Sequence, residues 1–336
     1  MTWFEALTGF AESTPDEVRR TLRIDGETLT SEVNGKAMAC GRLEIPSLAD
    51  LRDCVNQQAA AGGELSVREL VADVRALHAD ANNAGALFQV ASQFNLLEMV
   101  SPQVTPELGV GLYEGDHTQG PACAVAAGAG TIYRNYFASV DGQTGQSADH
   151  QIDCLADIGR ALGNTAGSLW RMQNGYALAS EDGLIEISNR LRKANHDERD
   201  ALRALLRIGI QRDTQVTLQG CEHRVSQAFC SALPVAYSKH SPDVWEPFAR
   251  LVLEAAYEAT LCAAALNAER AGNSRVFLTL LGGGAFGNKP HWIADGLRRA
   301  LQRHRHRSID VAIVSHGASN ALVRQVVAAF DAEHRR

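Results

Sequence analysis

The residues best suited to chemistry fall in two short stretches. The later one reads Gly-Gly-Gly-Ala-Phe-Gly-Asn at positions 282–288. It follows the apolar run 274–281 directly and precedes Pro290, which opens a helical pattern over 291–303. A buried strand, a glycine loop and a helix N-terminus gather backbone N–H groups and a positive dipole end around one point, which makes an anion site. Glycine is required there because a Cβ blocks close approach of phosphate oxygens and because some positions need positive φ. The expected ligand is nucleotide-like. Gly282, Gly284 and Gly287 also satisfy GxGxxG, but the acid of a dinucleotide site belongs at the end of the next strand. Asp310 stands at the start of that strand, and Ser315, His316 and Gly317 occupy its end.

The earlier stretch is acidic. Asn95 and Glu98 follow the apolar run 87–93, and Glu114, Asp116 and Gln119 come just before Pro121 and a helix over 121–137 rich in Ala and Gly. Small residues on that helix allow tight packing against a sheet or a ligand. Each carboxylate alone is compatible with a solvated loop, and Asp116 with a turn cap. Three of them beside a ligand groove suit general acid–base chemistry. Cys123 at the same helix N-terminus, with His117 nearby, offers a different chemistry, that of an activated thiol. A small cysteine packed on a helix is the commoner outcome.

These stretches need a frame. The patterns give helices at 2–9 and 15–22, then a β-meander over 21–24, 29–33 and 38–45 with Asp-Gly and Asn-Gly turns. Ser47 and Asp50 form a capping box for a helix to about 58, and 66–79 repeats the helical period. Beyond residue 87, strands are expected at 87–93, 168–178, 214–218, 274–281 and 309–315. Helices are expected at 121–137, 152–162, 183–193, 197–209, 247–271, 290–303 and 320–333. This alternation implies an α/β fold, a mixed sheet flanked by helices on both faces, with an N-terminal α+β elaboration over 1–80 and the ligand-binding domain over 81–336.

Composition narrows the function classes. The 336 residues carry 45% hydrophobic and only 6% aromatic side chains, so small aliphatic groups must fill the core. A net charge of −7 argues against broad nucleic-acid binding, which needs a basic surface. The basic run 298–307 reads as a solvated helix face. The N-terminus lacks a secretory pattern, and the apolar stretch 251–266 is broken by Glu254 and Glu258, so no membrane association is expected. Seven scattered cysteines fit reduced thiols in the cytoplasm, no metal-ligand spacing is present, and no cofactor is expected.

Taken together, the strand ending in Asn95, the acidic loop before an Ala/Gly-rich helix, the loop 282–288 and the final run Val-Ala-Ile-Val-Ser-His-Gly-Ala-Ser at 311–319 resemble a macrodomain of the poly(ADP-ribose)-glycohydrolase-like branch. The look-alikes are the hydrolases that remove ADP-ribose from arginine side chains. The resemblance runs from residue 87 to the C-terminus. It implies a macrodomain-like fold, an ADP-ribose ligand and an ADP-ribosylated protein substrate. Asn95, Gln119, Gly283, Gly284, Ala285, Phe286, Gly287, Asn288, Ser315 and Gly317 would then contact ADP-ribose. Glu98, Glu114 or Asp116 would supply the catalytic carboxylate. The glycine triplet followed by Gln-Glu-Glu that marks polymer cleavage is missing from the first loop. The chemistry is coherent in its own right. Cleaving an N-glycosidic bond passes through an oxocarbenium-like state that a carboxylate stabilises, and acids also chelate a guanidinium leaving group. The competing expectations are a module that binds ADP-ribose without cleaving it, a Cys123 thiol hydrolase, and a nicotinamide-dependent oxidoreductase.

Overall fold

Local signals in the chain open most of its elements. The computed structural model describes residues 1–58 and 62–334. A Thr2–Glu5 capping box starts α1 (Trp3–Thr8), and Thr14 with Pro15 starts α2 (Pro15–Thr21). Next come β1 (Leu22–Asp25), β2 (Thr28–Ser31), β3 (Ala37–Ala39) and β4 (Arg42–Glu44). The Ser47–Asp50 box opens α3 (Leu48–Gln57), as expected. β5 (Ser66–Val71), α4 (Val74–Ala79) and β6 (Leu87–Ala91) follow. The helical reading of 66–79 is therefore half wrong: its first part is a strand.

The remainder runs α5 (Gln119–Ala126), α6 (Gly128–Tyr136), β7 (Ser139–Val140), β8 (Gln143–Thr144), α7 (Ala156–Ala161), β9 (Trp170–Gln173), β10 (Tyr176–Ala179), α8 (Glu181–Lys193) and α9 (His196–Ala204). It ends with β11 (Gly209–Gln215), β12 (Arg224–Cys230), α10 (Pro242–Ala271), β13 (Arg275–Leu278), α11 (Pro290–Arg303), β14 (Asp310–Ser315) and α12 (Ala321–His334). The single helix expected over 121–137 is broken at Ala127 (φ −121°, ψ 57°) into α5 and α6. The strand expected over 168–178 is the separate hairpin β9–β10, turning at Asn174 and Gly175, both of positive φ.

One seven-stranded sheet holds the molecule, in the order β4-β11-β12-β6-β13-β14-β5. β4, β11 and β12 pair antiparallel, and β12, β6, β13, β14 and β5 run parallel. The α/β class with a mixed sheet is thus found. Both edge strands come from before residue 80. The boundary expected there cuts through the sheet, because β4 pairs with β11 and β5 with β14. α1, α2 and the small sheet β1-β2-β3 stand outside it, and their Phe4, Val18, Leu29 and Met38 share a second cluster with Leu97, Val110, Ile132 and Tyr136.

Alternate residues of the central strands meet helices on opposite faces. On one face, Gln89 of β6 donates to Thr260 of α10 (2.9 Å), and the Cys230 and Thr260 side chains meet at 3.3 Å. On the other, Phe88 stacks between Phe277 and His78 of α4, and Gln227 donates to the Cys123 carbonyl of α5 (2.9 Å). α10 is 30 residues long and apolar enough to cross a membrane, but its apolar window is 83% buried inside this fold. Glu258 of α10, fully buried, receives Arg52, Arg299 and Arg303. The basic run of α11 is therefore partly spent on that carboxylate and is not simply a solvated face.

His78 carries a pH liability. It is wholly buried, its Nδ1–H donates to the Val74 carbonyl (2.8 Å), and its Nε2 accepts from Gln227 (3.1 Å). Burial lowers its pKa to about 4. The unfolded chain takes the proton near pH 6.5, whereas the folded one resists it to about 4. Stability is therefore held above that window and lost as pH falls through it, by about 3 kcal/mol in the limit. His78→Phe should be less stable at pH 8, because Gln227 loses an acceptor, yet decline less steeply between pH 6.5 and 4. Urea unfolding across that range checks this, and equal slopes would refute it.

Candidate active site

A cleft opens where two neighbouring parallel strands part. β6 pairs with β13 at only two positions, Leu87↔Val276 and Phe88↔Phe277. Past Phe88 the edge of β6 facing β13 has no strand to bond. Gln119, at the start of α5, fills the gap: its amide Nε2 donates to the Gln89 carbonyl (2.8 Å) and its Oε1 accepts from the Ala91 N–H (2.8 Å). Gly120 brings α5 down onto the strand end, where a Cβ would lie 2.0 Å from the Ala91 carbonyl oxygen and 3.2 Å from Glu98 Cγ. On the far side, Tyr257 of α10 holds the departing chain, its hydroxyl donating to the Thr279 carbonyl (2.9 Å) and accepting from the Leu281 N–H (2.8 Å).

The resulting space is about 210 Å³, walled by Ala91–Gln93 backbone and side chains, Glu98, Asp116, Gln119, Tyr176, Tyr237 and the glycine loop at Gly282, Gly284, Ala285 and Phe286. It lies at the carboxyl ends of the parallel strands, where α/β sheets bind ligands. The loop is a tight turn: Gly287 N–H donates to the Gly284 carbonyl (3.0 Å) and Asn288 N–H to that of Gly282 (2.9 Å), with φ +73° at Gly282 and +70° at Gly287. The N–H groups of Gly284, Ala285 and Phe286 have no acceptor among the described residues. Three successive unpaired amides on the rim of a cleft are donors that an anion could use.

The acids divide sharply. Glu98 reaches the cleft from a buried position, 2% exposed, and is paired with fully buried Arg134 of α6 at 3.3 Å. Burial pushes its carboxyl up to about 7, against the pull of that guanidinium. Asp116 is half-buried on the cleft wall, with Oδ1 accepting from the Thr118 N–H (2.8 Å), and no cation pairs with it among the described residues. Glu114 does not join them. It is exposed on the other side of its turn, where Oε2 accepts the Trp3 N–H (3.1 Å), so its carboxylate anchors α1.

Several of the other residues expected to touch the ligand make contacts that serve the fold. Asn95 is buried away from the cleft and braces the turn that carries Glu98, with Oδ1 accepting from Leu97 N–H (3.1 Å) and Nδ2 donating to Gln151 (2.8 Å). Gln119 does line the cleft, but both its polar atoms serve β6. Gly283, Gly287 and Asn288 shape the loop without walling the cavity. A Cβ at Gly287 would meet Ala236 at 2.8 Å, and Asn288 Nδ2 donates to the Leu233 carbonyl (2.8 Å). Ser315 and Gly317 lie one strand away, at the end of β14; Ser315 donates to Glu69 of β5 (2.7 Å). Phe286 is less isolated than a glycine loop suggests. Its ring packs on Tyr176 (5.3 Å) and Tyr237 (5.6 Å), which form an aromatic wall.

Two of the competing chemistries lose their footing. Cys123 is wholly buried, its sulfur takes a Gln119 N–H (3.2 Å), and burial pushes its thiol up, which disfavours the nucleophilic thiolate. Asp310 sits at the amino end of β14, paired with Arg68, at the opposite end of the strands from the glycine loop. Tyr237 and Arg134 are the participants that sequence reasoning left aside or missed. Tyr237 follows the strand now seen as β12, whereas Arg134 carries no local signal, since its partner is 36 residues upstream.

No family model matches this chain, and no curated protein matches it. Among solved structures it is similar to a poly(ADP-ribose) glycohydrolase from Thermomonospora curvata, at 14% identity over 94% of this chain and 97% of that one, with a TM-score of 0.47. The same enzyme bound to the inhibitor ADP-HPD gives 15% identity, the same coverages and a TM-score of 0.45. A Deinococcus radiodurans poly(ADP-ribose) glycohydrolase in complex with ADP-ribose gives 12% identity over 87% of this chain and 93% of that one, with a TM-score of 0.46. Likeness at this level carries no residue's role across, and the site is read from its own geometry.

Proposed function

We propose that the cleft is the active site of an ADP-ribosyl hydrolase acting on modified protein side chains, arginine foremost. The observation that carries this is the meeting, in one cavity, of an amide cradle for a diphosphate and two carboxylates of different character, drawn from distant parts of the chain. The amides of Gly284, Ala285 and Phe286 receive the diphosphate oxygens. The aromatic wall of Phe286 and Tyr237 offers flat apolar surface to ribose or adenine. Glu98 acts as general base: it takes a proton from the water whose oxygen attacks the anomeric carbon as the C–N bond breaks, then returns that proton to the departing nitrogen. Asp116 accepts hydrogen bonds from the guanidinium, which leaves as free arginine side chain. A base must be deprotonated to work, and Glu98 titrates near 7, so the rate should rise with pH through that region.

Two measurements test the reading. Calorimetry should show micromolar or tighter binding of ADP-ribose by the wild type. In Gly284→Glu, where the added side chain meets open space and the fold is preserved, binding should weaken by at least about tenfold. Absence of binding by the wild type sinks the proposal. Glu98→Gln should retain ADP-ribose affinity while its turnover of ADP-ribosylated arginine falls roughly 10²–10⁴-fold. Binding without turnover in the wild type, with ADP-ribosylated arginine and poly(ADP-ribose) both offered, would leave a binding module in place of a hydrolase.

A further inference from the structure

Glu98 leaves β6 through an uncommon turn. Leu96 holds φ +64°, a left-handed conformation that costs a branched side chain about 1 kcal/mol or more and persists only where its surroundings impose it. The turn closes on itself, with Leu96 N–H donating to the Gln93 carbonyl (3.0 Å) and Gln93 N–H to that of Leu97 (2.9 Å). Gly209 is the residue that makes room for the Leu96 side chain, since a Cβ there would lie 2.5 Å from Leu96 Cδ1.

One side chain grips both the turn and the acid. Arg134 donates from Nε to the Leu96 carbonyl (3.0 Å) and from Nη2 to both oxygens of Glu98 (3.3 and 3.5 Å) and to Thr131 Oγ1 (3.2 Å). Its guanidinium lies over the Phe229 ring of β12, 3.7 Å from the centroid, so the fork has a fixed floor. Arg134 is fully buried and does not line the cleft, so it meets Glu98 from behind. We infer that Arg134 is a positioning residue, which fixes the aim of the Glu98 carboxylate into the cleft.

The inference rests on the proposed hydrolase reading for its catalytic consequence. Arg134 is the cation facing Glu98. The other ionisable groups around it are Tyr113, whose hydroxyl accepts the Glu98 N–H (3.1 Å), Cys123 of α5, and Asp116 across the cleft. A phenol, a thiol and a carboxyl carry no positive charge in either protonation state, so none replaces the guanidinium. Burial lowers the Arg134 pKa, but a guanidinium begins so high that it remains cationic. Without it, burial of Glu98 acts unopposed and its titration moves upward.

The test reads Glu98 twice. The carboxyl is followed by carbon NMR in wild type, Arg134→Lys and Arg134→Met, with Glu98→Gln assigning the signal, and the pH profile of turnover is recorded for the same proteins. In Arg134→Met the Glu98 midpoint should rise by about one unit or more, and the alkaline-rising limb of kcat should move with it. Turnover at pH 7 should drop while KM changes little, and should recover at higher pH. Arg134→Lys, which keeps the charge and loses the fork, should hold the midpoint near the wild-type value with reduced kcat. An unmoved or lowered midpoint in folded Arg134→Met overturns the inference. If the wild type cleaves no ADP-ribosyl substrate, the hydrolase reading fails, while the NMR midpoints still decide whether Arg134 governs the charge of Glu98. Should Arg134→Met fail to fold, Arg134→Lys decides: unchanged kcat there refutes the positioning role.

Discussion

A parallel sheet that stayed zipped along its whole length would have no cleft. The site depends on the early parting of β6 and β13, which share only two paired positions before they diverge. Parting two central strands frees backbone donors and acceptors at a largely buried position, and leaving them unmet would cost a few kcal/mol. Gln119 removes that cost on one side by acting as a short stand-in for a strand, and Tyr257 does so on the other. Gly120 then closes α5 onto the opened edge. The fold thus keeps its ladder satisfied and gains a polar-lined gap at its centre.

The gap is worth having because of what borders it. The pair formed by Glu98 and Arg134 is expensive to bury and adds little net stability by the general arithmetic of buried ion pairs. Its position behind a cleft wall gives it another rationale. It holds a carboxyl whose proton affinity is poised near neutrality, while Asp116, lodged in a wetter wall, is left to accept hydrogen bonds. The glycine turn faces both with amides, so one concave surface offers positive partial charge at one end and negative charge at the other.

Much of this was legible in the chain, for reasons that differ by residue. α11 begins and ends where Pro290 and Arg303 stand, because a proline after a glycine loop is a sharp signal. Glu98, Asp116, Gly284, Ala285 and Phe286 were legible as cleft residues because strand–loop–helix junctions place their loops at the sheet's carboxyl edge. What stayed hidden depended on distant pairing. β5 has a helical pattern of apolar residues and becomes a strand only through β14, more than 240 positions later. Asn95 and Ser315 look like ligand contacts in sequence, but their hydrogen bonds go to Gln151 and Glu69. Asn174-Gly175 is a hairpin signal that a longer apolar run disguised. Arg134 was out of reach, since nothing near it in sequence shows what its guanidinium meets.

The edge strands also bear on how the chain comes into being. β5 is made more than 240 residues before β14, the strand that covers it, with Ser66 beside Asp310. Until β14 is made, β5 therefore has that edge unpaired, and the sheet cannot be completed from one side onward. Contacts of such long separation slow folding and lengthen exposure to other chains. Arg68 and Glu69, charged and placed on that strand, are the kind of residues that keep a waiting edge from pairing with a stranger.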